Sequence, residues 1–457
     1  MVGLAILHRG VGQLSSAPTR VGWYQRSIGA LTSWGLTALM VVAAVADLRH
    51  GLTQPPWLVS SYLVVDVLIV LVCAPAVWLR RHDLGRAGTW MIAAAGGLMV
   101  WALVSASVCP LPSLSRITVG REFLVMPAVT SLMTLLAGVT IACGLAVEAS
   151  GRDLIARLWW PAVALTCASF VQWPRAMKVH GSPRLATGMG GSAVIHVALL
   201  LACGVLVAAA VAHFRTALSV LFACAALLAV VLTGSRAGLA CAALFSVGCG
   251  IGSVLWRRSA PAVTARHRRL VWAGLGALVM MVAVMVALVP GLRRMLNPSD
   301  PLRAQTVHVG VSLWSSDWRH VFVGHGFGRL WPWYLYDSHA WREPWRGMIL
   351  THWGRSLNSA HSTVLAVLVE LGLIGLSLLF VTLAVPVIRL VAEVTRGSWS
   401  PPHAVVLWSV ISTMPAFLLD TYLFKNFGVS MWWWVVAFTA VLCGGQRPLS
   451  TSRQKAG

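Results

Sequence analysis

Apolar runs of 17 or more residues recur along the whole chain, separated by short polar stretches in which arginine is the commonest charge. As helices rising about 1.5 Å per residue, such runs can cross a hydrocarbon core of about 30 Å. Lipid offers the backbone no hydrogen-bond partners, so segments of this kind cross it as helices. Spans are expected near 28–47, 59–78, 87–108, 123–147, 155–172, 191–213, 216–232, 237–256, 271–289, 362–386, 403–420 and 427–444. The expected fold class is an all-α polytopic membrane protein of about 12 transmembrane helices. Residues 1–27 read as a cytoplasmic leader, 28–290 as helices 1–9, 291–360 as a long outer loop region, 361–444 as helices 10–12 and 445–457 as a tail. The leader carries Arg9, Arg20 and Arg26 without a long apolar core, unlike a cleaved signal peptide.

Only 11% of the residues are charged and 58% are hydrophobic, too little charge to clothe a soluble protein of this length. No CxxC occurs, and no His/Cys cluster has zinc spacing. Among the cysteines only Cys109 falls in a loop, so no structural disulfide is expected. The net charge of +22 has no long basic segment standing apart from the spans, which argues against nucleic acid as a partner.

The charge has two other uses. An even number of spans puts both termini on one side. With them go Arg80, Arg81, Arg86, Arg152, Arg157, Arg215, Arg389, Arg396 and the dense cluster Arg257–Arg269. The positive-inside rule makes that side cytoplasmic. Yet the other side holds Arg175, Lys178, Arg184, Arg236, Lys425 and eight arginines between Arg293 and Arg355, against fewer acids. A basic surplus on the translocated face runs against the topology rule, and an anionic substrate accounts for it. The same region carries Trp314, Trp318, Trp331, Trp333, Trp341, Trp345 and Trp353. Interfacial anchoring and stacking on sugar rings both suit these tryptophans.

Two segments carry chemistry. Leu232–Leu239 reads LTGSRAGL: an apolar helix ends, Gly and Ser turn the chain, and Arg236 opens the next helix. An arginine there can face a phosphate beside free backbone N–H groups, or can snorkel to the interface. His361–Gly375 reads HSTVLAVLVELGLIG, with a surface His and two glycines that allow close packing. His361 can hold a proton near neutral pH, or can serve as a cap. Asp66 and Glu370 fall within apolar spans and need partners, and Glu370 lies too deep to touch His361. Asp420 and Lys425 flank a short outer turn and suit an ion pair or a ligand contact. His196 reads as a satisfied core residue.

Together these segments resemble the O-antigen ligase and polymerase superfamily of bacterial membrane glycosyltransferases. His361, Ser362, Gly372 and Gly375 match that family's spacing of His, a small polar residue, nine residues, Gly, two residues and a small residue. Thr233–Leu239 is similar to its SRAGL-type turn, with Ala240 in place of a second Leu. Gly324–Gly328 (GHGFG) is similar to its GxGFG segment, with His325 in the variable slot. Arg184 and the following LATGMGG resemble a family segment whose asparagines are here Gly190, Gly191 and Ser192. Arg303 stands near a family arginine of the outer loop.

The resemblance implies a GT-C-like fold in the bacterial inner membrane, with the active site facing the periplasm. It implies transfer of a glycan from a polyprenyl (undecaprenyl) diphosphate carrier to a hydroxyl of lipid A-core oligosaccharide. Arg184 and Arg236, with Arg303 as a further diphosphate contact, would stabilise the leaving group, and His361 would orient or deprotonate the acceptor. Attack in line at the anomeric carbon would invert configuration. No DxD occurs, and Asp337 and Glu343 stand apart, so neither a metal nor another cofactor is expected. An O-antigen polymerase or a protein O-oligosaccharyltransferase would share these motifs. A lipid-linked glycan flippase would place charge in both halves near the midplane, commonly with inverted repeats, and no repeat is visible here.

Overall fold

A computed structural model describes residues 20–46, 61–80, 85–111, 120–147, 149, 151–180, 183–259, 301–331, 359–397 and 400–443. The expected span at 271–289, the tail 445–457, most of the leader and the outer-loop residues 291–300 and 332–358 lie outside them. So do Asp337, Glu343 and most of the Arg257–Arg269 cluster.

Among the described residues the protein is all helix, with one isolated bridge, Thr187 to Gly190. Seven helical segments are long and apolar enough to cross a membrane. They are Ser27–Val45, Gly85–Val108, Glu122–Ala146, Gly151–Lys178, Arg236–Ser253, Thr363–Thr395 and Pro401–Leu419. The chain is a multi-pass helical membrane protein. Four shorter apolar segments, Ser61–Pro75, Ile195–Val211, Thr216–Leu232 and Phe427–Leu442, pack among them.

The helices in chain order are α1 (Arg20–Val45), α2 (Ser61–Arg80), α3 (Gly85–Val108), α4 (Glu122–Ala146), α5 (Gly151–His180), α6 (Ile195–Val211) and α7 (Thr216–Leu232). They continue as α8 (Arg236–Ser259), α9 (Pro301–Trp314), α10 (Trp318–Val323), α11 (Thr363–Thr395), α12 (Pro401–Ser412), α13 (Ala416–Leu419) and α14 (Phe427–Cys443).

Helices α6 and α14 are apolar on every face, and such helices belong inside a bundle. Both are buried: α14 packs on α4, α6 and α12, and α6 packs on α5, α7 and α12. Trp432, Trp433 and Trp434 are buried together, and the Trp432 and Trp433 indoles donate to the Ala198 carbonyl and Thr413 Oγ1. Gly138 of α4 lets the Trp434 Cβ approach where any side chain would collide. Asp66, buried in α2, receives the Thr134 hydroxyl of α4 at 2.6 Å, the kind of partner an acid in an apolar span requires.

Three details depart from the sequence expectation. The helix expected at 403–420 is two, α12 and α13, broken just before Pro415, whose ring disfavours helical backbone at the residue it follows. The leader and outer-loop stretches are in part helical: α1 begins at Arg20, and α9 and α10 occupy 301–323. Helices α5 and α11 also outrun their apolar cores, because terminal side chains such as Lys178 and Arg396 can reach polar surroundings from the helix ends. The connections from α6 to α7 and from α7 to α8 are tight. His213 and Arg215 turn the chain at φ 57° and 44°, and Gly234 does so at φ 60°.

Candidate active site

The end of α7 fixes Arg236. Thr233 and Gly234 close the helix, and the Ser235 Oγ accepts the Gly238 N–H at 3.1 Å, capping α8 one residue before Arg236 enters its first turn. Arg184 reaches across from the α5–α6 connection. Its Nε donates to the Thr233 carbonyl at 2.7 Å and its Nη2 to the Gly234 carbonyl at 3.4 Å. The adjacent Leu185 N–H donates to the Leu232 carbonyl at 2.9 Å. Arg184 therefore satisfies the carbonyls that α7 leaves open at its C-terminus and splints the turn that carries Arg236.

A second cluster forms where α11 begins. Ser362 is the N-cap: its Oγ accepts the Leu365 N–H at 3.1 Å and donates to the Phe417 carbonyl at 3.2 Å. Thr363 donates through its N–H and its hydroxyl to the Asp420 carbonyl, at 3.0 and 2.8 Å. His361 is thus not the cap. It stands just ahead of it, exposed, with its backbone in the left-handed region at φ 50°. A non-glycine residue there is held by its surroundings at some cost. The α11 start is sewn to the α13 end, and His361 is presented at their junction.

Arg303 joins from α9. Its Nη1 donates to the Leu419 carbonyl at 2.7 Å, and its Nη2 lies 3.8 Å from Asp420 Oδ1. Asp420 Oδ2 faces His196 Nε2 at 4.0 Å. His196 in turn packs its Cβ 2.9 Å from where a Cβ on Gly238 would stand, in the first turn of α8. Burial drives the Asp420 carboxyl up to about 8, against the opposing pull of Arg303 and then Arg184. Arg184, Arg236, Arg303 and His361 therefore stand on elements that meet at one end of the bundle, with Asp420 at the hub.

Asp420 and His196 are the members that sequence reasoning underrated. Asp420 faces Arg303 and His196 across the fold. His196 is fully buried, with its ring set between the Ala193 backbone and the Asp420 carboxyl rather than in a close side-chain hydrogen bond. The signal for Asp420 was its place as a lone acid between two apolar segments.

The GHGFG segment is a buttress. The Glu370 carboxylate of α11 accepts the N–H groups of Gly328, Leu330 and Trp331 at 3.0, 3.2 and 3.3 Å. His325 and Gly326 donate to the Val369 and Glu370 carbonyls at 2.9 and 3.0 Å. Gly372 kinks α11 there at φ 67°, where a Cβ would strike the Phe322 carbonyl, and the Trp101 indole donates to the Leu371 carbonyl at 3.0 Å. His325 is half of a stacked pair with His320, centroids 3.6 Å apart, and its Nε2 lies 3.0 Å from the Leu313 carbonyl. Burial first, then His320 and Arg329, pull its imidazole below the usual range. These contacts make it structural. Phe327 stacks edge-on against Phe424 at 5.3 Å, tying the buttress to the Asp420 turn.

Among the described residues no group of three or more His, Cys, Asp or Glu is placed to hold a metal ion. Comparison with known proteins gives no matching family model and no matching curated relative.

Proposed function

We propose that this chain is a glycosyltransferase of the O-antigen ligase type, moving a glycan from a polyprenyl diphosphate to a hydroxyl of lipid A-core oligosaccharide. One observation carries the reading: the arginine-bearing turn before α8 and the His-Ser start of α11 are both locked to elements at the same end of the bundle. In this reading the shorter apolar helices and residues 271–289 complete about twelve crossings of a GT-C-like fold. The site then faces the periplasm from the inner membrane.

The chemistry follows from the side chains. Arg236, at the N-terminal end of α8, and Arg303 receive the diphosphate, and Arg184 holds the turn and adds charge. His361 takes the proton of the acceptor hydroxyl. The acceptor oxygen bonds the anomeric carbon as its bond to the diphosphate oxygen breaks, and the polyprenyl diphosphate leaves with the electron pair. Arginine charge opposes the growing negative charge, so the step needs no metal or other cofactor.

The test is reconstitution. Purified protein in bilayers, with EDTA present, is given lipid-linked glycan and each candidate acceptor in turn: lipid A-core, a second lipid-linked glycan, or an acceptor protein. Sugar gained by lipid A-core supports the reading. Sugar gained only by another acceptor reassigns the acceptor, dependence on added Mg²⁺ or Mn²⁺ overturns the metal-free step, and no transfer to any acceptor overturns the enzyme.

A further inference from the structure

Asp420 lies beside Arg303, one of the proposed diphosphate arginines, and within the electrostatic reach of Arg184. Its side chain is 6% exposed, and Arg303 approaches one oxygen at 3.8 Å. Arg184 acts on it from the α5–α6 connection. Among the described residues the other oxygen has no hydrogen-bond partner, and it faces the fully buried His196 ring at 4.0 Å. Of the other titratable groups facing it, Cys241 belongs to α8 and Tyr422 to its own turn; the α11 neighbour, Thr363, does not titrate.

We propose that Asp420 is a resident competitor for the arginines of the site: ionised it holds them against an incoming diphosphate, protonated it releases them, and diphosphate binding therefore takes up a proton at Asp420. This rests on the diphosphate reading above. The physical ground is that a guanidinium cannot serve two anions at full strength, and the internal carboxylate is dry on the side away from Arg303. His196 adds no donor to stabilise the carboxylate at 4.0 Å, so the arginines are its main support.

The sign follows from the position of the group. Burial raises the Asp420 carboxyl to about 8 even against the opposing charge of Arg303 and then Arg184. Below that pH the carboxyl is neutral and no longer competes with a ligand for the arginines. Above it the carboxylate competes, and a ligand that draws the arginines away leaves a buried charge that must recover its proton. Affinity for an anion should hold level up to about pH 8 and then fall with rising pH. Burial keeps the Tyr422 hydroxyl neutral throughout this range.

The experiment uses the full chain in detergent and farnesyl diphosphate as the probe, whose own diphosphate is fully ionised well above its last pKa of about 6. Calorimetry from about pH 7 to about pH 9.5, in buffers of different ionisation enthalpy, gives affinity and protons exchanged. The expected result is a fall of up to about tenfold per pH unit above about pH 8, with uptake approaching one proton per ligand. Asp420→Asn should bind with a flat profile and little proton uptake. Parallel profiles for the two proteins overturn the proposal. So does wild-type protein that binds the probe near pH 9 with no proton uptake, a reading that does not depend on the variant's folding. Absence of probe binding at every pH sinks the diphosphate reading and this proposal together, whereas binding without the linkage sinks this proposal alone.

Discussion

Glu370 and Gly328 are joined by a hydrogen bond of 3.0 Å from a loop N–H to a buried carboxylate, 42 residues apart in the chain. The same carboxylate takes the N–H groups of Leu330 and Trp331, so one side chain of α11 replaces the solvent for three backbone donors. The loop it holds reaches Phe424 and hence the Asp420 turn.

Glu370→Ala should therefore be a folding mutation. Each buried donor left unsatisfied costs about 1–3 kcal/mol. A marked drop in melting temperature in detergent is expected, with activity lost in proportion to folded protein. Glu370→Gln keeps one acceptor oxygen and should fall between. Wild-type stability in the Ala variant would show that the loop donors find other partners.

His361 and Ser362 should separate cleanly. The cap bonds belong to Ser362, so Ser362→Ala is expected to lower stability by about 1 kcal/mol. His361 stands exposed ahead of that cap. His361→Ala should leave the cap intact and cost less stability than Ser362→Ala, while transfer falls by about 10²–10⁴-fold, the usual worth of a general base. Melting curves and single-turnover rates on the same preparations decide it. A stable and fully active His361→Ala protein would remove His361 from the mechanism.

The helices were legible because lipid makes each crossing a long apolar run, and eleven of the expected spans fall on helical residues. The tight connections after α6 and α7 follow from the few residues that separate the apolar runs there. The candidate site was legible only where a residue type is unusual for its place, as with Arg236 after a Gly-Ser turn. Asp420 and His196 were not, because their meaning lies in a meeting of α6, α8, α9 and α13 that no sequence spacing encodes. Nor was the double duty of Arg184, since a guanidinium on a carbonyl and one on a phosphate look alike in a sequence. The helices within the outer segment were hidden too, because α9 mixes Arg303, Gln305 and His308 with apolar residues and carries no spanning signal.

The two ends of the bundle should face opposite compartments. Ser400 opens α12 and Ser316 follows α9, and both are exposed. In a Cys-free background, an impermeant thiol reagent on intact spheroplasts should label Ser316→Cys at once and Ser400→Cys only after permeabilisation. The ground is the basic content of the loops on the Ser400 side. The reverse pattern would put the arginine cluster in the cytoplasm and end the periplasmic assignment.

Arg184 and Arg236 should fail in different ways. Arg184 spends its Nε and one Nη on the carbonyls of Thr233 and Gly234, so its first task is to hold a turn. Lysine has a single ammonium and cannot reproduce that two-point contact. Arg184→Lys should lower the melting temperature and weaken transfer together, because the turn that aims Arg236 loosens. Arg236 opens α8 behind a cap that Ser235 supplies, and that capping bond is kept whatever side chain stands at 236. Arg236→Lys should keep the α8 cap and lose less stability than Arg184→Lys, yet bind farnesyl diphosphate less tightly, since a point charge replaces a planar fork. Adding the Arg184→Lys change to an Arg236→Ala protein then measures the coupling. If Arg184 acts mainly by aiming Arg236, the second substitution should cost little further affinity, although it still lowers stability. If Arg184 grips the diphosphate independently, the two losses in binding free energy should add. Additive losses in affinity with no change in stability would mean that the carbonyl contacts of Arg184 give way when the anion arrives, and that Arg184 is a ligand in its own right.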